Sequence, residues 1–245
     1  ILQLKRLGKE RTAENYITAF NSFKRFRNGN DISLNEIDSD LMTEYEASLK
    51  SYGVAMNTVS FYNRILRAVY NRAVEKEMTV QRYPFKHVYT GIDKTVKRAV
   101  PLKIIKRIKD LDLSFKSSLD FARDMFLFSF YTRGMSFIDM AYLKKKDLQN
   151  GILSYRRRKT GQQLFIKWEK SMQEIIDKYP ANENGYLLPI IKTDRNERLQ
   201  YRNALRLVNN KLKEISVSIG LQAKLTMYVS RHSWASIAKS QNIPL

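Results

Sequence analysis

Four residues in the second half of the chain have types and settings suited to handling a phosphate group: Arg133, Lys159, Tyr228 and Arg231. Arg133 follows a segment rich in Phe and Met over 118–131 and precedes Gly134, so its head can emerge at a helix end. A guanidinium keeps its charge and can donate two parallel hydrogen bonds to phosphate oxygens. Arg231 closes the tetrapeptide Tyr228-Val229-Ser230-Arg231. Residues three apart on a helix share a face, so this phenol and guanidinium can converge on one phosphate. A phenol with an unperturbed pKa near ~10 donates a hydrogen bond at neutral pH but is a poor general base. Lys159 falls in the turn Lys159-Thr160-Gly161, where an amine is mobile and, unlike a guanidinium, can lose its proton. Each residue also has a plainer reading. An arginine beside a helix end is commonly a surface residue, and a turn lysine is commonly just solvated. Asp139 can be a simple helix residue or a cap, and His232 reads best as a buried, hydrogen-bonded histidine.

The elements that would carry these residues follow from the hydrophobic period. The segment over 118–131 reads as a core helix. Asn150-Gly151 is a strong hairpin signal, and ILSYRRR, the Lys159-Thr160-Gly161 turn and QQLFIKW then give a small antiparallel sheet. Helices are expected over about 170–178 and 197–219, the latter stopped by Gly220, and TMYVSRHSWASIAKS forms one more. Upstream, residues 10–80 carry three helical patterns. In the first, Thr12 can cap a stripe of Tyr16, Phe20 and Phe23; in the second, Asp38 precedes Leu41, Tyr45 and Leu49, with Gly53 as a stop. The third follows Asn57 and aligns Val59, Tyr62, Leu66, Val69 and Ala73, with Asn63, Arg64, Arg67 and Arg72 on its other face. Residues 82–101 break the periodicity with two prolines, a glycine and the cations Lys94, Lys97 and Arg98, which suggests a linker.

Composition narrows the partner. Lys and Arg total 44 against 24 acids, for a net charge of +20 over 245 residues. Such an excess favours a polyanion, and nucleic acid is the commonest one. A merely basic surface is the plain alternative. An anionic membrane surface fits less well, because the cations are scattered and do not form one amphipathic stripe. No apolar stretch reaches bilayer-spanning length. Cysteine is absent, and the two histidines, His87 and His232, lie far apart, so thiol chemistry and a metal cluster are not expected.

Three segments then become recognisable together. TRGMSFIDMAYLKKKDL, YRRRKTG and YVSRHSWA resemble, in that order, the marker segments of the tyrosine recombinases, or phage-type integrases. A weaker likeness extends to NTVSFYNRILRAVYNRAVEKE. The resemblance leans toward integrases of mobile elements, in which the first His of His-x-x-Arg is often Tyr, as Tyr228 is here.

That resemblance implies a mainly α fold with a small antiparallel β-sheet. A helical, SAM-like core DNA-binding domain would span residues 1–90, a linker 91–101, and a mixed α/β catalytic domain 102–245, C-terminally incomplete. It implies a site-specific enzyme that cleaves and rejoins DNA through a 3′-phosphotyrosyl bond, with neither cofactor nor metal. Arg133 and Arg231 match the catalytic arginines, Lys159 the lysine that protonates the leaving 5′ oxygen, and Tyr228 the first His. Asp139 and His232 match supporting positions. Asn57, Thr58, Asn63, Arg64, Arg67, Lys94, Lys97, Arg98, Arg156, Arg157 and Arg158 are the candidate DNA contacts. The nucleophile is expected beyond the last tyrosine of the chain, Tyr228, in a segment not included here. Implied partners are double-stranded DNA and further copies of the chain, as a tetramer on paired sites, in a bacterial cytoplasm at the nucleoid. A decayed, non-catalytic DNA-binding protein with the same fold is the main rival, and a type IB topoisomerase the second.

Overall fold

A computed structural model describes residues 1–95, 98–180 and 183–243. The chain divides into two compact units, Ile1–Thr95 and Val96–Leu245.

The first unit holds four helices: α1 (Leu2–Arg6), α2 (Glu10–Phe26), α3 (Ser39–Ser51) and α4 (Met56–Glu75). Phe23, Met42, Tyr45, Leu49, Val59, Tyr70, Phe85 and Val88 form its core. Asp38 caps α3 as expected, its carboxylate accepting the Leu41 N–H at 2.9 Å. Thr12 does not cap α2, which already begins at Glu10, and Phe20 of the proposed stripe is exposed. On α4 Val59 and Ala73 of the expected stripe are buried and Tyr62 and Leu66 pack against the core, but Val69 is exposed and Tyr70 is buried in its stead. Tyr70 can sit there because its hydroxyl donates to the Val80 carbonyl at 2.9 Å.

The irregular segment beyond residue 82 is not a free tether. Phe85 and Val88 enter the core, and residues 89, 91 and 93 are fastened to α4 in turn. The Asn63 amide donates to the Tyr89 carbonyl at 3.1 Å, and Ser60 Oγ to the Gly91 carbonyl at 2.6 Å. Asn57 both donates to the Asp93 carbonyl and accepts its N–H, at 2.9 and 2.8 Å. Asn57, Ser60 and Asn63, spaced by three, share one face of α4, so all three can meet the same segment.

The second unit contains α5 (Leu102–Lys109), α6 (Ser117–Tyr131), α7 (Phe137–Ala141), β1 (Leu148–Gln149), β2 (Ile152–Arg156), β3 (Gln163–Lys167), α8 (Lys170–Asp177), α9 (Glu197–Ser218) and α10 (Met227–Ser240). The strands form one antiparallel sheet in the order β1-β2-β3, with Leu153 opposite Ile166 and Tyr155 opposite Leu164. Asn150 and Gly151 both take left-handed backbone, φ 49° and 71°, which a two-residue hairpin turn requires. Helix α6 is central and packs against α5, α8, α9 and α10. Its Asp124 is buried and satisfied by Arg123, Lys178 and Tyr179, which ties α6 to the end of α8. The fold is therefore mainly α with one small antiparallel sheet, as the sequence implied. Among the described residues no helix is long and apolar enough to cross a membrane.

Candidate active site

The end of α6 sets the first arginine. Thr132 closes the helix, the Arg133 N–H returns to the Phe130 carbonyl at 3.2 Å, and the Gly134 N–H to Ser129 at 2.8 Å. This pair of bonds is the Schellman ending, whose left-handed position is usually glycine. Here it is Arg133, at φ 59°, and its side chain is thrown out to solvent. The Ser129 hydroxyl, fully buried, donates to the Met135 carbonyl at 2.8 Å and locks the turn from inside.

Gly134 brings the second arginine in. A Cβ built on it would lie 3.0 Å from Arg231 Cα and 3.0 Å from Arg231 Cγ. The chain thus passes directly against α10 at Arg231, so the residues that carry Arg133 and Arg231 abut across two elements. Helix α10 is held there by three polar ties. Ser230 donates to the Phe126 carbonyl of α6 at 2.9 Å, Ser233 accepts the Val100 N–H at 2.9 Å, and the Met227 N–H donates to Asn209 of α9 at 2.9 Å. With Met227, Val229, Ser230 and Ser233 buried, Arg231 is left at the border and Tyr228 outside, 67 % exposed. Tyr228 meets the edge of His232, ring centroids 4.3 Å apart and planes at 90°.

Asp139 joins this corner to the sheet. It is buried on α7, where one carboxylate oxygen accepts from Ser136 Oγ at 2.6 Å and the other from the Arg158 N–H at 2.9 Å. Capping and orienting are therefore one arrangement, because Ser136 caps α7 while Asp139 holds the hairpin. Beyond Arg158 the tip closes on itself. The Arg157 N–H reaches the Gln162 carbonyl, the Gly161 N–H reaches Arg157, both at 2.8 Å, and Arg156 braces Gly161 through its guanidinium at 2.9 Å. Lys159 stands exposed at this tip. Tyr155, which sequence reasoning passed over, lies between the parts. Burial, with the Asp139 charge adding, pushes its phenol up to about 12, while Arg157 and Arg231 pull the other way. Its alternation with Leu153 as an inward position of β2 was the available signal.

The remaining candidates divide. Arg64, Arg67, Lys94, Arg98, Arg156 and Arg158 are exposed, and Thr58 and Arg157 half-buried. Lys97 lies outside the described residues. Asn63 is corrected: it is fully buried, and its amide is spent on Glu46 and Tyr89, so it cannot reach a DNA duplex. Asn57 likewise has both polar ends engaged by Asp93.

Comparison with known proteins agrees with this architecture. The chain superposes on a lambda integrase (75–356) dimer bound to a COC′ core site with TM-score 0.65 and 16% identity, over 95% of this chain and 81% of that one. Against a lambda integrase tetramer bound to a Holliday junction the TM-score is 0.69 at 16% identity, covering 98% and 71%. Against the Tn1549 transposon integrase (82–397, Y379F) in complex with transposon right end DNA it is 0.67 at 15%, covering 99% and 85%. The fold is that of the tyrosine recombinases. Residues 1–90 match the family model of the phage integrase SAM-like domain. Among curated proteins none matches.

Proposed function

We propose that this protein is a site-specific DNA recombinase of a mobile element, which cleaves and rejoins duplex DNA through a 3′-phosphotyrosyl intermediate. The observation that carries the reading is the abutment of Gly134 on Arg231, which sets two guanidinium-bearing residues side by side next to a hairpin tethered by Asp139. In the reaction, a tyrosine oxygen forms a bond to phosphorus as the bond from phosphorus to the 5′ oxygen breaks. Arg133 and Arg231 neutralise the charge that grows on the non-bridging oxygens, and such neutralisation is usually what accelerates phosphoryl transfer most. Lys159 passes its proton to the departing 5′ oxygen. Attack by a 5′ hydroxyl of a partner duplex reverses these steps, and the phosphodiester energy is conserved in the protein link.

The nucleophile in this reading is a tyrosine outside these 245 residues. Tyr228 takes the place of the first motif histidine and donates a hydrogen bond to the phosphate, and the buried Tyr155 has a phenol harder to ionise than an ordinary one. The matched integrases are described as a dimer on a core site and a tetramer on a Holliday junction, and we extend both partners, DNA and like copies, to this chain. The place of action is then the bacterial cytoplasm, at the nucleoid.

The test is a covalent trap. On DNA bearing the target and a nick, these 245 residues form no adduct, whereas a chain carrying the nucleophile forms one. In that chain Arg133→Ala or Arg231→Ala slows trapping by at least ~10²-fold, as for loss of an oxyanion donor. Duplex affinity changes little, because each is one phosphate contact among many. Binding with no adduct from the longer chain would instead identify a non-catalytic DNA-binding protein.

A further inference from the structure

The hairpin that carries Lys159 is held to the body of the second unit at a second point. The Arg158 guanidinium lies over the ring of Tyr142, 3.9 Å from its centroid. Tyr142 in turn packs edge-on against Tyr186, centroids 6.3 Å apart at 76°. Tyr186 is fixed from three sides. Its backbone bridges Lys144, its hydroxyl donates to Glu197 of α9, and Lys144 Nζ sits 3.2 Å from its ring centroid while donating to the Asn184 carbonyl at 3.0 Å. The result is a stack running from α9 through two aromatic rings to the residue immediately before Lys159. A cation over an aromatic face is a weak contact singly, but a ring already held by its neighbours gives the guanidinium one place to rest.

We infer that Tyr142 is a positioning residue for the proton donor: by seating Arg158, it fixes the backbone from which the Lys159 side chain reaches the leaving oxygen. Asp139 holds the Arg158 N–H and Tyr142 holds the Arg158 head, so the residue before Lys159 is clamped at both its ends. On the far side, Arg156 grips Gly161. The ammonium can swing while its base stays still, which is what transfer to one defined oxygen requires, since misplacement of a reacting group by about 1 Å can cost ~10²-fold in rate.

This inference rests on Lys159 protonating the 5′ oxygen, and the test separates the two. Trapping rates are measured in a chain that carries the nucleophile, on a normal substrate and on one whose bridging 5′ oxygen is replaced by sulfur. A thiolate leaves without a proton, so loss of the donor is masked on the second substrate. Tyr142→Leu is expected to slow the normal substrate about tenfold and the sulfur substrate less than about twofold, a smaller version of the pattern for Lys159→Ala. Tyr142→Phe, which keeps the ring, restores the wild-type rate. Should Tyr142→Leu fold poorly, Arg158→Leu removes the stack from its exposed side and is expected to give the same selective loss. Equal slowing of both substrates, or no slowing of either, overturns the positioning role. If Lys159→Ala itself is not rescued by sulfur, the assignment of the proton donor fails first, and Tyr142 with it.

Discussion

Helix α4 and the β2–β3 hairpin look alike as sequence: each mixes arginines with short polar residues, and each suggests a DNA-facing edge. Folded, they use those residues differently. On α4 the short side chains Asn57, Ser60 and Asn63 bind the backbone of residues 89–93, and the arginines Arg64, Arg67 and Arg72 are left outside. In the hairpin the backbone bonds are closed by the turn itself, by the Arg156 guanidinium and by Asp139, and Arg156, Arg158 and Lys159 all stand exposed. Length decides this. An amide or hydroxyl on a short stem can be satisfied only by what lies beside it, whereas a guanidinium on a long stem covers apolar surface and still reaches water.

If the outward cations of both regions grip phosphate, duplex affinity should fall steeply with salt. With on the order of 6–10 contacts the expected drop is about 10³–10⁵ between roughly 50 and 200 mM salt. A nearly flat titration would mean that the cations of one region, or of both, are merely solvated.

Substitutions on α4 sharpen the contrast between inward and outward residues. Asn63→Ala leaves the buried Glu46 carboxylate and the Tyr89 carbonyl short of a donor, and should cost about 1–3 kcal/mol in urea unfolding. Arg64→Ala should leave stability within about 0.5 kcal/mol while weakening duplex binding and lowering the salt slope by about 1. An unchanged unfolding midpoint for Asn63→Ala, together with lost DNA affinity, would restore Asn63 to the interface.

The smallest effect concerns pH. The Tyr45 and Tyr155 phenols are pushed up to about 12, chiefly by burial. Because the folded state favours the neutral phenol, this contribution is complete below the ordinary value near ~10 and is lost as pH rises through about 12. Stability should therefore decline across that window, one unit of the molecule contributing Tyr45 and the other Tyr155. Tyr155→Phe should flatten part of the decline in unfolding curves taken at successive pH values, and an identical slope would show that this phenol stays exposed to solvent.

What the sequence disclosed and what it hid follow the same physical line. Asp38 as a cap, Asn150-Gly151 as a turn and the small antiparallel sheet that follows it were legible because a cap, a turn or a hairpin is complete within a few residues. The motif residues Arg133, Asp139, Lys159 and Arg231 could be named, but not the contacts between them. Gly134 meets Arg231 from nearly a hundred positions away, and nothing local to either announces it. Asn63 was misplaced for the same reason, its partners Glu46 and Tyr89 being 17 and 26 residues distant. The Tyr142–Tyr186 pair was hidden too, since it depends on an isolated bridge between Lys144 and Tyr186.

If Arg133 has the role proposed for it, its left-handed backbone sets the protein's thermal tolerance against its chemistry. A residue with a Cβ in that conformation costs about 1 kcal/mol, which glycine at the same position would recover. Glycine is also what a Schellman ending prefers, so relaxed selection and screens for heat resistance push this codon the same way. A library enriched only for survival on heating would lose Arg133 early and gain folded, DNA-binding, inert proteins. Among natural relatives, glycine at this one position would mark a gene whose product still folds after its catalytic constraint has lapsed.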